Sequence, residues 1–202
     1  MLKTEAAKSI KPRHIIALSL LGVGAVFGVS HTYKAQAATA VPVVSTNITE
    51  ADVLAAQQAW VAALVQISTD YESGGRAKAK QTAELVLDSA YGYNLGPVLF
   101  KPTLTVAPQT FRPTRDGALS YFVGGNPAFP ADQGFALKGW KAGEVLNTGL
   151  QLHGNTAISM GNVILTDKQG NKTTVDKTWG YVRDDQGTLR IVLHHSSLPV
   201  GL

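Results

Sequence analysis

Two histidines and two serines end an apolar run near the C-terminus, in the stretch RIVLHHSSLP (190–199). Side chains alternate along a β-strand, so His195 and Ser197 are expected on one face and His194 and Ser196 on the other. Such a cluster could bind a metal, contain a nucleophile, bind a small anion through hydrogen bonds, or be only the polar end of a strand.

A metal site would have to use the three histidines of residues 38–202, which are His153, His194 and His195. A three-imidazole zinc site would need all of them. Because adjacent residues on a regular strand point to opposite faces, His194 and His195 could share one ion only across a β-bulge. The favoured expectation is therefore no cofactor. If the protein depended on zinc, these histidines would be the expected ligands.

Nucleophilic catalysis has little support in the chain. Ser196 and Ser197 are each adjacent to another member of the cluster, but neighbours on a strand do not face each other, and there is no GxSxG motif. The absence of cysteine excludes thiol nucleophiles, disulfides and thiolate metal sites. The carboxylates of Asp132, Glu144 and Asp176 are interpreted as solvated charges, although Asp132 or Asp176 could serve as a base if it pointed into a pocket.

Hydroxyl groups remain as the candidate functional groups. Apart from the two serines, they occur in LFKPTLTV (99–106), with Thr103 and Thr105, and in LSYFVGG (119–125), with Ser120 and Tyr121. Hydroxyls that converge in an apolar pocket can bind a small oxyanion or orient a water molecule. Each of these residues is also common in strands for reasons of β-propensity alone.

The N-terminal segment has the pattern of a secretory signal peptide. Basic residues precede an apolar run, IIALSLLGVGAVFGV (15–29), and Ala35-Gln36-Ala37 fits a small-x-small cleavage site. We therefore expect a signal peptide over 1–37 and a periplasmic protein, with an uncleaved membrane anchor as the alternative. Residues 1–37 contain five positive charges and one negative charge, so the formal net charge of +4 becomes zero for 38–202. The charge balance thus gives no argument for nucleic acid or an anionic membrane as partner.

The remaining chain predicts an α+β domain over 49–202, after an extended lead-in over 38–48. A helix begins at Thr49, Gly74-Gly75 interrupts it, and a second helix covers about 76–89. Strand-like stretches follow, separated by turn signals; they are 98–114, 118–125, 143–167, 172–184 and 188–199. We expect the N-terminal helices to pack in a strongly curved antiparallel sheet that forms a cone-shaped pocket.

Three of these stretches together carry a family resemblance. GPVLFKPTL (96–104), GALSYFVGG (117–125) and KTWGYVRDDQGTLRIVLHHSSLP (177–199) resemble the iota-class carbonic anhydrases. Those enzymes have the cone-shaped fold of the ketosteroid-isomerase and SnoaL-like group. The resemblance implies reversible hydration of CO2 to bicarbonate and a proton, in some members without a metal. In other members zinc or manganese takes part, and His153, His194 and His195 would then be the expected ligands here. Leu193 stands where a third histidine often occurs in that family, which weakens the metal-dependent version.

The resemblance also implies which residues act. A threonine, a tyrosine and a serine bind bicarbonate in the family, which indicates Thr103, Tyr121 and one serine of the HHSS run. Strand alternation favours Ser197, whereas a bulge would favour Ser196. A base would be His195 or the phenolate of Tyr121. The apolar lining of the CO2 pocket is expected to include the side chains of Leu99, Phe100, Phe122 and Phe135.

The resemblance further suggests a homodimer, because one face of the sheet would otherwise expose apolar side chains. The alternative function is a non-catalytic module of the same fold that binds a small ligand or mediates oligomerisation. In that case the same hydroxyls would be ordinary polar groups of a pocket.

Overall fold

A capped helix opens the described part of the chain. The computed structural model describes residues 45–201, so the expected signal peptide and most of the lead-in lie outside the described residues. Helix α1 spans Glu50–Ala90 and begins with the predicted capping box: Thr49 N donates to Asp52 Oδ2 at 2.8 Å, and Asp52 N donates to Thr49 Oγ1 at 3.2 Å. Gly75, with φ of 70°, interrupts the helical geometry where the Gly-Gly pair predicted a break.

Five strands and two shorter helices follow α1. Their bounds, in chain order, are β1 (Leu99–Lys101), α2 (Arg115–Val123), a single 3₁₀ turn (Phe135–Leu137), β2 (Trp140–His153), β3 (Thr156–Asp167), β4 (Lys172–Arg183) and β5 (Leu189–Ser197). The turn signals at 168–171 and 184–187 join β3 to β4 and β4 to β5, as predicted.

The strands form one mixed sheet in the order β1-β5-β4-β3-β2. Strands β2 to β5 are antiparallel neighbours, as expected, but β1 lies parallel to β5, with Leu99 opposite Leu193 and Lys101 opposite His195. The expected antiparallel pairing therefore covers four of the five strands, and the short edge strand β1 makes the sheet mixed. The strand predicted over 98–114 is also limited to three residues, since Pro102 cannot donate a ladder hydrogen bond.

The stretch 118–125, predicted as a strand, instead forms the end of a helix up to Val123. Thr114 caps α2 by accepting a hydrogen bond from Gly117 N at 3.2 Å, and Pro113 precedes the cap. Every residue from Gly117 to Val123 is buried. Because the helix is short and covered on all sides, its sequence has no helical apolar period and reads as a continuous apolar run.

The sheet curls around the first half of α1. Gln57 donates to Asn147 Oδ1 on β2 and to Ser159 Oγ on β3, at 2.9 and 3.1 Å. One turn further along, Trp60 makes edge contacts with Trp179 on β4 and His194 on β5. A helix that touches four successive strands is enclosed by the sheet, which gives the expected α+β cone. None of the helices in residues 45–201 combines the length and the apolar character required of a membrane span.

Candidate active site

A β-bulge decides which half of the HHSS run faces the interior. Gly180 pairs with Leu193 and Tyr181 pairs with Ile191, so Val192 is an extra residue in β5. Beyond it His194 and Ser196 are fully buried, whereas His195 is exposed and Ser197 is partly exposed on the opposite face. Simple alternation, which favoured Ser197, was thus wrong about the inward face.

Three hydroxyls converge where β1, β5 and α2 meet. Thr103 lies in the turn after β1, and its Oγ1 forms a hydrogen bond with Ser196 Oγ. Tyr121, from α2, lies close enough to Thr103 for that side chain to act on the pKa of its phenol. We call Thr103, Tyr121 and Ser196 the hydroxyl cluster. Lys101 donates from Nζ to the Ser196 carbonyl at 3.1 Å, which fixes β5 next to the turn.

Aromatic side chains surround the tyrosine of this cluster. The Tyr121 ring stacks on Phe135 with centroids 5.4 Å apart and makes edge contacts with Phe100 and Phe122 at 5.6 and 5.5 Å. Burial raises the pKa of the Tyr121 phenol above its usual range, and the nearby Thr103 side chain offsets only part of this effect. Tyr121 therefore stays protonated near neutral pH and can donate a hydrogen bond.

The apolar residues predicted for the pocket divide between the interior and the surface. Phe122 is buried, as are Phe100 and Phe135. Leu99 is 66% exposed and lies on the outer side of β1, where it lines a surface groove with Phe111 and Leu193. Its predicted place in a pocket beside the hydroxyls is therefore wrong.

The remaining candidate residues do not meet at the hydroxyl cluster. His153 is exposed at the end of β2, His194 faces the interior and His195 faces outward, so the three histidines do not form a metal site. Within residues 45–201 there is no group of three or more histidine and carboxylate side chains that could hold a metal ion. Asp132 is bound by Arg112, and Asp176 accepts from Asn162 on the outer face, so neither is a free base in the interior.

Comparison with known proteins identifies the family. The family model described as metal-independent carbonic anhydrase matches residues 51–198. The chain belongs to this family. It is 61% identical over 158 residues to a metal-independent carbonic anhydrase from Nostoc sp. (strain PCC 7120), an alignment that covers 78% of this chain and 77% of the relative.

One solved structure agrees with this assignment, and a second one resembles the chain in fold. A crystal structure of an iota-carbonic anhydrase from a cyanobacterium, complexed with bicarbonate, matches with a TM-score of 0.80 and 59% identity over 81% of this chain and all of that one. A calcium/calmodulin-dependent protein kinase II association domain from Xanthomonas campestris matches with a TM-score of 0.50 and 25% identity, over 77% and 91% of the two chains.

The family assignment confirms what the resemblance implied about activity. The enzyme is a carbonic anhydrase that interconverts CO2 and bicarbonate, and it needs no metal cofactor. The chemistry that zinc supplies in other carbonic anhydrases must therefore come from the side chains of the protein.

Sequence reasoning missed a chain of hydrogen bonds deeper in the cone of this carbonic anhydrase. Trp60 Nε1 donates to the Tyr91 hydroxyl at 2.9 Å, that hydroxyl lies 2.9 Å from His194 Nδ1, and His194 Nε2 lies 2.8 Å from Lys177 Nζ. Strand alternation could have found Lys177, since it occupies the same face of β4 as the buried Val175 and Trp179. A lysine at an inward position is the signal that was overlooked.

Burial controls the protonation of the two nitrogen groups at the end of this chain. It lowers the pKa of Lys177 to about 7 and lowers the pKa of His194 well below its ordinary value; nearby Lys177 adds to the second effect. His194 is also stacked on Phe100, with ring centroids 4.4 Å apart. The imidazole is therefore neutral and held in one orientation.

Proposed function

We propose that the hydroxyl cluster is the site at which this carbonic anhydrase binds bicarbonate and orients the attacking water. The observation that carries the proposal is the convergence of Thr103, Tyr121 and Ser196, which come from three separate segments: Thr103 forms a hydrogen bond with Ser196 and lies beside the phenol of Tyr121. The cyanobacterial relative of known structure was crystallised with bicarbonate. This supports a site for the same anion in the present chain.

The chemistry of the cluster suits an anion without a cationic ligand. Each hydroxyl can donate one hydrogen bond and accept others, so Thr103 and Ser196 can exchange their mutual bond for bonds to the oxygens of bicarbonate, and Tyr121 can donate to the same anion. Phe100, Phe122 and Phe135 keep this region apolar, which strengthens hydrogen bonds to the charge that develops as water attacks CO2. Tyr121 acts as a donor here because its raised pKa keeps the phenol protonated.

The test is a set of conservative substitutions, Thr103→Val, Tyr121→Phe and Ser196→Ala, assayed by stopped-flow CO2 hydration. Loss of one donor to a developing oxyanion typically lowers kcat by about 10²- to 10³-fold, and we expect this range for each variant. Ser197→Ala is the matched control, since its side chain lies on the opposite face of the same strand, and it should stay within about twofold of the wild type. Wild-type turnover in all three cluster variants would refute the proposal.

We also propose that the enzyme is exported by the segment 1–37 and acts in the periplasm. The support is the basic and apolar pattern of that segment, the small-x-small site at 35–37 and the absence of cysteine. N-terminal sequencing of the protein recovered from a periplasmic extract tests this proposal. A mature chain that begins at Ala38 would support it, whereas recovery of full-length chain in the membrane fraction would favour the anchor.

We further propose a homodimer formed through the outer face of the sheet. Three large apolar side chains are exposed there on β2 and β3; they are Leu146, Ile158 and Met160. Light scattering after size-exclusion chromatography should give twice the chain mass, and the double variant with Ile158→Lys and Met160→Glu should give the monomer mass. A monomeric wild type at micromolar concentration would contradict the proposal.

A further inference from the structure

Lys177 is a buried cationic side chain without an acidic partner. It is 4% exposed, and its Nζ lies 4.6 Å from the centre of the Trp60 ring and 5.4 Å from that of Trp179. Across residues 45–201 no carboxylate lies within 4.0 Å of this amine, as an ion pair would require. A buried charge that lacks a partner costs several kcal/mol, about the amount that shifts a lysine to its neutral form.

The hydrogen bonds around His194 are complete when Lys177 is neutral. The indole of Trp60 can only donate, so the Tyr91 oxygen accepts from it and the Tyr91 hydroxyl is free to donate to His194 Nδ1. His194 then carries its proton on Nε2 and donates to the lone pair of Lys177 Nζ. If Lys177 is an ammonium group, it must donate to Nε2 instead, and the imidazole changes tautomer. The pair therefore has two hydrogen-bonded states that differ by one proton.

The pair adjoins the hydroxyl cluster. Ser196 follows His194 by two residues on the same face of β5, and Lys177 lies directly opposite Ser196 in the ladder between β4 and β5. Phe100 links the two groups from the other side, since it stacks on His194 and makes an edge contact with Tyr121. On β3 the residue opposite Lys177 is Gly161, which has no side chain to separate the amine from the interior.

Hydration of CO2 releases a proton that the hydroxyl cluster cannot keep. Threonine and serine hydroxyls are not basic near neutral pH, and Tyr121 already holds its proton. His195, one of the bases expected from the sequence, is on the outer face of β5. The interior thus needs a base that is neutral at the working pH and lies next to the cluster.

We propose that the Lys177–His194 pair is the proton acceptor of the hydration reaction, which rests on the hydroxyl cluster being the site of that reaction. As the water oxygen forms its bond to the carbon of CO2, one C=O π pair moves onto oxygen to give bicarbonate. The O–H bond of the water breaks, and its proton passes to the lone pair of Lys177 Nζ, directly or along the hydroxyls. His194 gives up its hydrogen bond to that lone pair and carries its own proton on Nδ1 instead of Nε2, so the new ammonium group donates to Nε2. Dehydration runs the same step backwards, with the ammonium group as proton donor.

The surroundings of Lys177 define the pH dependence that this role implies. Helix α1 presents the Trp60 ring, β4 presents Trp179, β3 presents Gly161, and β5 presents His194 and Ser196, with the Tyr91 hydroxyl behind the imidazole. The neighbouring acid, Asp176, is exposed on the other face of β4, where it accepts from Asn162. Hydration needs the neutral amine, so kcat/KM should rise with pH through the pKa of Lys177, at about 7.

The experiment compares the pH–rate profiles of the wild type, Lys177→Met and Lys172→Met, using stopped-flow hydration from pH 6 to 9. General acid–base catalysis contributes about 10²- to 10⁴-fold, so Lys177→Met should lose at least 10²-fold and should lose the rise near pH 7. Added imidazole buffer should restore part of the rate. Lys172 is an exposed lysine on the same strand, and its variant should keep the wild-type profile. An unchanged rate and profile in Lys177→Met would overturn the proposal.

Two further measurements separate this role from the bicarbonate site and from folding. Titration with ¹³C-labelled bicarbonate measures the affinity of each variant for the anion. Lys177→Met should bind bicarbonate within a few-fold of the wild type, and Ser196→Ala should bind it much more weakly. Loss of binding in both variants would instead make Lys177 part of the anion site. If Lys177→Met does not fold, NMR titration of the lysine side chains of the wild type decides the matter. An amine that stays protonated up to pH 9 would overturn the proposal.

Discussion

Asp132→Asn should strongly destabilise the enzyme, because it removes the charge that neutralises a buried arginine. Arg112 is 1% exposed, and its guanidinium donates to both oxygens of Asp132, from Nη2 at 2.6 Å and from Nε at 3.1 Å. The same guanidinium donates from Nη1 to the carbonyls of Gln109 and Phe111. These bonds shape the loop between Thr103 and α2, so the pair supports the segment that carries the hydroxyl cluster.

The magnitude follows from the burial of both partners. Breaking one half of a buried ion pair costs about 3–5 kcal/mol, and asparagine retains one of the two acceptor oxygens, so we expect about 3 kcal/mol. For a domain of this size that loss lowers Tm by roughly 6–12 °C, since each kcal/mol shifts Tm by about 2–4 °C.

Urea unfolding and thermal melts followed by circular dichroism measure this change. Asp185→Asn is the matched control, because Asp185 is exposed in the turn between β4 and β5, and surface substitutions usually change stability by at most about 0.5 kcal/mol. An Asp132→Asn variant as stable as Asp185→Asn would show that the buried charge of Arg112 is compensated by its backbone acceptors alone. The reasoning from burial would then be refuted.

Three other predictions follow from the structure. Gly161→Ala should prevent folding or lower the free energy of unfolding by at least about 3 kcal/mol, because the added Cβ would lie 2.0 Å from the Leu146 carbonyl oxygen. Gly149→Ala is the control: its Cβ would meet nothing within 4 Å, so this variant should melt like the wild type. Urea unfolding should show a lower free energy of unfolding at pH 3 than at pH 7. The reason is that folding lowers the pKa of five aspartates, which are Asp52, Asp70, Asp88, Asp167 and Asp184. Their stabilising contribution is present above the unfolded pKa of about 3.9 and is lost as the pH falls through the folded pKa values. Exhaustive chelation should leave the rate of CO2 hydration unchanged, and a loss restored by added zinc would contradict the family assignment.

The elements that the sequence predicted well are those with local chemical signals. Thr49 and Asp52 form the capping box that their spacing indicates, and Gly75 adopts a conformation that other residues avoid. Turn residues at 168–171 and 184–187 specify two hairpins in the same local way. Helix α2 lacked such a signal, because burial on all sides removes the polar face from which a helical period is recognised.

The candidate site was only half predictable for a related reason. The residue types of Thr103 and Tyr121, together with their motifs, indicated the right hydroxyls, but the orientation of the HHSS run depends on a register shift at Val192. One extra residue in a strand exchanges its two faces, and alternation assumes that no such residue exists. Lys177 was missed because a lysine is ordinarily read as a surface residue, even at an inward position.

A carbonic anhydrase without a metal must solve the problem that zinc solves by lowering the pKa of bound water to about 7. An interior base whose own pKa is near 7 provides another solution: it leaves the water neutral and takes the proton as the C–O bond forms. The Lys177–His194 pair has the burial and the hydrogen bonds for that role.

The two solutions predict different behaviour, because a metal-bound hydroxide exists before CO2 arrives, whereas proton transfer to an amine occurs together with attack. A solvent deuterium isotope effect on CO2–bicarbonate exchange at chemical equilibrium should therefore be present in this enzyme, and its absence would place proton transfer outside the chemical step.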